Sequence, residues 1–386
     1  MNFNEMIDRQ NTESVKWNWF EKDVLPMWVA DMDFRSPESV VNALHARVEH
    51  GVFGYGLPPA GLSEILIRRM HERYGWQVSE SELAYVPGIV TGFNLAVRAV
   101  CQPGDAVIFN TPAYPPFFKA PQYANLTAVA NPLYKDSSGH YEIDFDLFEH
   151  QISSQQVKAY ILCNPQNPTG RVFTRTELEK LAEICLRHNV IICSDEIHCD
   201  IVYDQRRHIP IASLAPEVSQ ITMTFMAPSK TYNIAGLHAS EVIIQNAELN
   251  KRYRRTRAGI SEDPNILALV AAKAAYEAGE EWLQQALEYL QANRNWLEAQ
   301  FAQRIPGIRM AHAEGTFLAW LDCTGLGLEE NPQKFFLEKA RVGMNDGLDF
   351  GDEGARHVRM NFGTPRVNLE LAIQRMESAL IRLQQA

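Results

Sequence analysis

Short apolar segments recur along the first two thirds of the chain, and stretches with helical periodicity separate them. These segments are rich in Val, Ile and Phe, and the clearest are 106–109, 157–162, 190–193, 221–225 and 241–244. Continuous apolar strands that alternate with amphipathic helices are typical of a largely parallel sheet covered by helices on both faces. The sequence therefore predicts an α/β fold.

The pattern changes after about residue 264. Residues 267–278 and 283–301 have helical periodicity, whereas 316–321 and 358–362 alternate with a period of two. Such alternation is typical of a half-exposed antiparallel sheet. A chain of 386 residues suits one large and one smaller domain. We predict an N-terminal segment (1–45) that packs with the small domain and the active site, a large domain (46–278), and a small α+β domain (279–386).

Composition excludes several classes of function. The net charge is −11, so an extended basic surface for nucleic acid is not expected. The six cysteines lack the paired spacing of a metal site and are expected to be reduced thiols. The first residues do not resemble a secretory signal, and no apolar run approaches the roughly 20 residues that span a bilayer. We expect a soluble cytoplasmic protein without a metal site.

Four polar residues follow the ends of predicted strands, and they are Tyr114, Asn167, Asp195 and Lys230. Ligands of open α/β sheets bind at the carboxyl edge of the strands. Each residue taken alone has a plainer explanation: Lys230 could be a surface lysine, and Asp195 could cap a helix. Four such residues at equivalent places favour a ligand site at this edge.

This combination of residue types matches the needs of pyridoxal 5′-phosphate (PLP). Desolvation lowers the pKa of a lysine, and the neutral amine can then form a Schiff base with the PLP aldehyde. The pyridine nitrogen needs a carboxylate to stay protonated, and the phosphate suits backbone N–H groups at a helix N-terminus. The ring face needs a flat partner. The residues therefore indicate a PLP site.

Three motifs make the sequence similar to the fold-type I PLP enzymes of the aspartate aminotransferase superfamily, over essentially the whole chain. They are Asn-Pro-Gln-Asn-Pro-Thr-Gly (164–170), Ser-Asp-Glu-Ile-His (194–198) and Ala-Pro-Ser-Lys-Thr-Tyr-Asn (227–233). The resemblance implies a large α/β domain with a mostly parallel seven-stranded sheet and a smaller α+β C-terminal domain.

The resemblance also implies roles for the residues at the matching positions. Lys230 would bind the PLP aldehyde and act as a catalytic residue, and Asp195 would face the pyridine nitrogen. Asn167 would donate to the phenolic oxygen, and Tyr114 would stack on the ring and assist catalysis. Arg359 would hold the α-carboxylate of the substrate by two parallel hydrogen bonds.

Further matches concern the cofactor's phosphate and phenolic oxygen. The loop 88–91 would supply phosphate contacts from its backbone, including those of Ile89 and Val90. Ser229, next to the lysine, would add a phosphate contact. His198 stands where many aminotransferases have a tyrosine beside the phenolic oxygen, so it is a further candidate cofactor ligand.

Two more residues extend the predicted site. Ala30 would contact the substrate together with Asn167. Tyr55 matches the tyrosine that reaches the phosphate of the neighbouring subunit, where it could assist catalysis. The resemblance therefore implies a homodimer with Tyr55 shared across the interface.

Two departures from the general pattern narrow the subfamily. Ala227 and His238 stand where aminotransferases of this type usually have a serine and an arginine that bind the phosphate. Loss of that arginine resembles the branch of cysteine and cystathionine β-lyases that contains MalY, PatB and cystalysin, and further matches to it lie at 28–34, 50–55 and 345–351. The resemblance implies a PLP-dependent C–S β-lyase, which converts L-cystathionine or S-substituted L-cysteines to a thiol, pyruvate and ammonia.

Two other functions stay open at this point. A class I/II aminotransferase acting on an L-amino acid would use the same residues up to the loss of the Cα proton. A PLP-fold protein that only binds or regulates would not need the complete set of Lys230, Asp195 and Arg359. The residues leave open which S-substituted cysteine is the natural substrate.

Overall fold

The structure, a computed structural model, describes residues 1–136 and 139–385. These residues form a seven-stranded sheet, a four-stranded sheet and two sheets of two strands each. In chain order the strands are β1 (Leu25–Pro26), β2 (Leu83–Val86), β3 (Ala106–Thr111), β4 (Thr127–Pro132), β5 (Tyr134–Lys135), β6 (Tyr141–Glu142), β7 (Val157–Cys163), β8 (Ile191–Asp195), β9 (Thr222–Met226), β10 (Ser240–Ile243), β11 (Arg309–Met310), β12 (Leu318–Asp322), β13 (Val342–Gly343), β14 (Asn345–Asp346) and β15 (His357–Asn361).

The large sheet has seven strands in the order β2-β10-β9-β8-β7-β3-β4. Neighbours pair in parallel except around β10, which is antiparallel to both β2 and β9. The strands β3 and β9 are buried at every residue. Apolar residues occur on both faces of these strands because helices cover both sides of the sheet. The predicted α/β fold with a mostly parallel seven-stranded sheet is confirmed.

The α-helices lie around this sheet and against the second one. They are α1 (Val15–Asn18), α2 (Glu38–Glu49), α3 (Leu62–Tyr74), α4 (Ile89–Val100), α5 (Pro116–Tyr123), α6 (Phe145–Ser154), α7 (Arg175–His188), α8 (Pro216–Gln220), α9 (Pro228–Thr231), α10 (Ala247–Arg257), α11 (Ile266–Ala278), α12 (Glu280–Arg304), α13 (Pro332–Phe335) and α14 (Arg366–Gln384). A capping box starts α7: Thr174 accepts from the N–H of Glu177, whose carboxylate accepts from the N–H of Thr174. Two N–H groups that the helix cannot satisfy are thereby bonded.

The second sheet has four antiparallel strands in the order β11-β12-β15-β14. The predicted antiparallel pairing is confirmed, but the prediction that the sheet is half exposed is wrong. β15 is buried throughout, and β12 is buried except at Asp322. One face joins the apolar core formed with α12 and α14. The other face meets the two-stranded sheet of β5 and β6, where Trp320 donates a 2.9 Å hydrogen bond to the hydroxyl of Tyr141 in β6. Polar residues on these strands therefore face protein instead of solvent.

The N-terminal segment is mostly irregular and lies over the body of the protein. Phe3 is buried, with its ring centroid 5.0 Å from Phe34 and 5.7 Å from Trp282 of α12. The strand β1 pairs with β13, and this contact places residues 27–34 beside the small sheet. Aromatic burial thus holds a segment that has no regular secondary structure of its own.

Two smaller expectations concern membranes and thiols. Within the described ranges, no helix is both long and apolar enough to cross a membrane. All six cysteines are free and buried. Burial raises the pKa of Cys101 to about 12, so this thiol stays protonated at neutral pH.

Candidate active site

A cavity of about 370 Å³ lies at the carboxyl ends of β7, β8 and β9. Residues 28–30, the start of α4, and residues of β14 and β15 complete its wall. Ten of the eleven residues predicted for the site line this cavity, and they are Ala30, Ile89, Val90, Tyr114, Asn167, Asp195, His198, Ser229, Lys230 and Arg359. The fold therefore brings together residues from nearly the whole length of the chain.

Lys230 lies in α9, the short helix that follows β9. Pro228 stands in the first turn of α9, where a backbone N–H is not needed. The Nζ of Lys230 donates a 2.6 Å hydrogen bond to the carbonyl oxygen of Ala30. Loss of hydration lowers the pKa of Lys230 to about 8, because it penalises the charged ammonium. At pH 7 about a tenth of this side chain is then a neutral, nucleophilic amine.

Asp195 is the last residue of β8 and lies on the cavity wall. Its Oδ1 accepts a 3.1 Å hydrogen bond from the backbone N–H of Ile197. Burial raises the pKa of Asp195 to about 7, and this effect outweighs the Ile197 N–H and the charge of Lys230, which both lower it. A cationic nitrogen beside the carboxylate would lower the pKa again. Asp195 is therefore suited to face a protonated ring nitrogen.

Arg359 enters the cavity from β15. Its Nη1 donates to Oδ1 of Asn167 at 2.9 Å, and its Nη2 donates to Oδ1 of Asn345 at 2.7 Å and to the carbonyl of Trp28 at 3.0 Å. The Nε is buried and has no hydrogen-bond partner among the described residues. Burial lowers the pKa of Arg359 to about 10, so the guanidinium is still charged at neutral pH. A buried cation with an unused donor is suited to bind a carboxylate.

Tyr114 and His198 supply neutral polar groups. Burial raises the pKa of the half-buried Tyr114 phenol, so it keeps its proton. Burial holds the pKa of His198 well below its ordinary value, and the nearby Lys230 and Arg359 charges lower it further. The Nδ1 of His198 is buried and has no hydrogen-bond partner in the described part of the chain. Both side chains can therefore bond a ligand without adding charge.

The N-terminus of α4 forms one end of the cavity. Gly88 precedes the helix with φ +100°, a conformation that favours glycine. No side chain of residues 1–136 or 139–385 caps α4, so the N–H groups of its first turn, including those of Ile89 and Val90, can bind an anion. Ser229 and His238 also line the cavity, and a Cβ on Gly88 would lie 3.8 Å from the Nδ1 of His238. This end is suited to a phosphate group.

Tyr55 is the predicted residue that the single chain does not bring to the cavity. It lies fully exposed in an irregular loop before α3. The neighbouring Val52, Phe53 and Leu57 are exposed as well. A group of large apolar side chains on the surface is typical of a protein interaction site.

The sequence did not reveal the groups that form hydrogen bonds with Arg359 and hold it in place. Asn345 pairs with Arg359 across β14 and β15, but β14 has only two residues and therefore gives no periodic signal. The carbonyl of Trp28 could not be found from side-chain types. Asn361 also lies on β15, and its Nδ2 donates to the carbonyls of Val29 (2.5 Å) and Asp31 (2.7 Å).

Comparisons with known proteins show the family of the chain. The sequence profile of the family described as aminotransferase class I and II matches residues 22–376. Cystathionine beta-lyase PatB of Bacillus subtilis (strain 168) is 38% identical, over 98% of this chain and 100% of PatB. The structure of OvoB superposes with a TM-score of 0.94 at 44% identity, covering 98% of this chain and 99% of OvoB.

A third relative carries the cofactor. The structure of cystalysin from Treponema denticola, which contains pyridoxal 5′-phosphate, superposes with a TM-score of 0.95 at 31% identity, covering 99% of each chain. Similarity at this level extends over the full fold and not only over the motifs. The chain belongs to the aminotransferase class I and II family, in the group that includes PatB and cystalysin.

Proposed function

We propose that this protein is a PLP-dependent C–S β-lyase, which cleaves L-cystathionine or S-substituted L-cysteines to a thiol, pyruvate and ammonia. The observation that carries the proposal is the convergence of Lys230, Asp195 and Arg359 in one cavity. An amine, a carboxylate and a carboxylate-binding cation meet the three charge requirements of PLP bound to an amino acid. The relatives named cystathionine beta-lyase and C–S lyase support the same reaction.

The residues of the cavity fit PLP. Its phosphate suits the uncapped start of α4 at Ile89 and Val90, and Ser229 lines the same cavity. Asp195 suits the ring nitrogen, and the unpartnered Nδ1 of His198 is a buried polar atom that a ligand could satisfy. When bound, PLP supplies an aldehyde for an amine and a ring that accepts the electron pair left at the substrate Cα.

Substrate binding falls to Arg359. Its Nε is free to bond one oxygen of the α-carboxylate, and a substrate oxygen could replace the Trp28 carbonyl on Nη2. Asn167 accepts from Arg359 through Oδ1, which leaves its Nδ2 to donate to a ligand oxygen. Arg359 and Asn167 would thereby hold the amino acid in the cavity that Lys230 also lines. Ala30, which lines the same wall, limits the space beside it.

Proton transfer falls to Lys230. With PLP and the amino acid bound, the Nζ of Lys230 would be the base that removes the Cα proton. The lowered pKa of Lys230 keeps part of the side chain unprotonated before the reaction, as a base requires. The ammonium that forms can return the proton to the sulfur that leaves Cβ. Tyr114, whose phenol keeps its proton, is a second donor to that thiolate.

We further propose a homodimer in which Tyr55 of one copy reaches the cavity of the other. The exposed apolar loop around Tyr55 needs a covering surface, and Ile260 adds to the same class of exposed apolar residues. A second copy would bring a phenol to the phosphate end of the cavity. Each Tyr55 would then complete the active site of the partner subunit and not that of its own chain.

Lyase activity is tested by incubating the holoenzyme with L-cystathionine and measuring pyruvate by a coupled assay without added keto acid. We expect pyruvate and homocysteine in equal amounts. Lys230→Ala should lower the turnover by about 10³-fold or more, since both the covalent link and the base are lost. It should also abolish the visible absorbance of the lysine-bound cofactor. Lys273→Ala, which changes a partly exposed lysine paired with Glu277, should leave both unchanged.

The result that would overturn the proposal is amino-group transfer that depends on a keto acid, with no pyruvate released from cystathionine. That outcome would favour an aminotransferase, the second candidate. The family description and a solved relative titled putative aminotransferase, 37% identical to this chain, favour that candidate. His238 at the phosphate end, where an arginine is usual in such enzymes, favours the lyase.

A further inference from the structure

We call residues 28–33 the active-site strap. The side of the strap that faces the cavity contacts Lys230 and Arg359. The carbonyl of Ala30 accepts from Lys230 at 2.6 Å, and that of Trp28 accepts from Arg359 at 3.0 Å. Asn361 binds two further carbonyls of the strap, and Asn233 binds the backbone of Met32 through both its amide atoms. The strap has no regular secondary structure, but its backbone accepts hydrogen bonds from both Lys230 and Arg359.

The outer side of the strap carries two carboxylates, Asp31 and Asp33, that meet two cations from the N-terminal segment. Lys16, whose side chain is 0% exposed, binds Asp33 at 2.7 Å. Arg9 binds Asp33 at 2.7 Å and Asp31 at 2.8 Å. The indole N–H of Trp17 also donates to Asp33 at 2.8 Å. We call Arg9, Lys16, Asp31 and Asp33 the outer charge cluster.

The formal charges of the outer charge cluster sum to zero, and the cluster is largely enclosed. A buried ionic group is tolerated only when its partners compensate the lost hydration. Burial would raise the pKa of Asp33, but Lys16, Trp17 and Arg9 outweigh burial and lower it. The Asp33 carboxylate is therefore charged at neutral pH, and the ion pairs of the cluster hold the strap in one position.

The cluster also acts on Lys230. Asp31 is adjacent to Ala30, and its charge raises the pKa of Lys230, as does the charge of Asp195. Arg359 acts in the opposite sense, and His198, which also lines the cavity, is neutral. Arg9 in turn neutralises Asp31, so it moderates the field that Asp31 exerts on the amine.

We propose that the outer charge cluster is a positioning device for the reaction, which holds the carbonyl of Ala30 against Lys230 and sets the electrostatic field at its amine. None of its four residues lines the cavity, so the cluster acts through the strap. This inference rests on the proposed function, because it assumes that Lys230 captures PLP.

The test measures how fast apoenzyme, prepared from the holoenzyme, recaptures PLP as the pH is raised. Only the neutral amine of Lys230 reacts, so the rate should rise through the pKa of this lysine. Arg9→Gln leaves Asp31 less neutralised and should move the midpoint up by about half a pH unit or more. Asp31→Asn removes the negative charge and should move the midpoint down by a similar amount. The double variant should return close to wild type.

The control is Arg35→Gln, which breaks an exposed ion pair with Glu5 outside the cluster and should not move the midpoint. General loosening of the site would hydrate Lys230 and raise its pKa in every variant. A lower midpoint in Asp31→Asn would therefore support the inference even if Arg9→Gln does not fold, because loosening of the site would raise the midpoint. Unshifted midpoints, or shifts in one direction for both single variants, would overturn the inference. Failure of the wild type to capture PLP would instead contradict the proposed function.

Discussion

Arg359 combines two demands that are hard to meet in one side chain. As the proposed carboxylate-binding residue, it must be buried to exclude water, and it must stay charged although burial lowers its pKa to about 10. Three neutral acceptors, the side chains of Asn167 and Asn345 and the carbonyl of Trp28, stabilise the cation without neutralising it. A carboxylate partner in their place would compete with the substrate. The neutral shell therefore keeps the positive charge available.

Arg359→Lys should raise the KM for L-cystathionine by about tenfold to a hundredfold, because an ammonium cannot form the planar pair of hydrogen bonds and one charged bond contributes about 1.5–3 kcal/mol. Steady-state kinetics measure the effect. Arg356→Lys is the matched control, since Arg356 binds the carbonyls of Leu328 and Glu330 away from the cavity. An unchanged KM in Arg359→Lys would show that another group binds the carboxylate.

Residue types revealed the charged groups of the site but not its backbone groups. Lys230 and Asp195 could be predicted because each follows a buried strand, where a charge is costly without a function. The Ala30 and Trp28 carbonyls could not, since every residue carries a carbonyl. His238 was noticed only by comparison with a family pattern, because it precedes the reversed strand β10 instead of following a parallel one.

The helix α9, which carries Lys230, is anchored by a buried ion pair. The hydroxyl of Thr231 donates to Asp200 at 2.9 Å, and Asp200 pairs with Arg69 of α3 and at 3.3 Å with Arg73. Burial would raise the pKa of Asp200, but the two arginines outweigh burial and lower it. The helices α3 and α9, far apart in sequence, are thus joined through one carboxylate.

Asp200→Asn should lower the free energy of unfolding by about 3–5 kcal/mol at pH 7, because the buried Arg69 loses its counter-ion. The folded pKa of Asp200 is below its model-peptide value of 3.8. The stabilisation is therefore complete above that value and is lost as the pH falls through the folded pKa. Urea unfolding at pH 7 and below pH 4 measures the difference, which should shrink in acid.

The control for this variant is Asp23→Asn, which removes an exposed ion pair with Arg341. An exposed pair contributes at most about 1 kcal/mol. Equal losses in the two variants would show that the Asp200 pair does not anchor α9.

Elements were predictable where one periodicity dominated. The parallel strands and the longer helices could be read from apolar patterns, and the antiparallel pairing of β12 with β15 was predicted from alternation. Burial of that sheet was not predictable, since polar residues such as Arg359 alternate in the same way whether they face a cavity or solvent. The two-residue strands were too short to give any pattern.

At the scale of the whole molecule, shared active sites can be tested with hybrid dimers. Tyr55→Ala and Lys230→Ala should each be nearly inactive, and refolding them together should restore up to about one quarter of the wild-type activity per chain. Restoration requires that Tyr55 from the Lys230→Ala chain complete the site of the other chain. The coupled pyruvate assay measures it.

If Tyr55 acted within its own chain, neither site of the hybrid would be complete and no activity would return. Light scattering measures the mass of the wild type and of Val52→Asp, a variant meant to disrupt the dimer at the same exposed loop.

The predicted domain boundary at residue 278 stays a prediction. Gly279 separates α11 from α12 at this point.

The hydrogen bond between Arg359 and the carbonyl of Trp28 joins residues 331 positions apart. During synthesis, the first forty residues leave the ribosome long before β15 exists. The strap therefore cannot form its hydrogen bonds with Arg359 and Asn361 until translation is almost finished. The cavity can therefore form only as one of the last events of folding. A prematurely terminated chain that lacks β15 would contain Lys230 and Asp195 but not Arg359, the proposed carboxylate-binding residue.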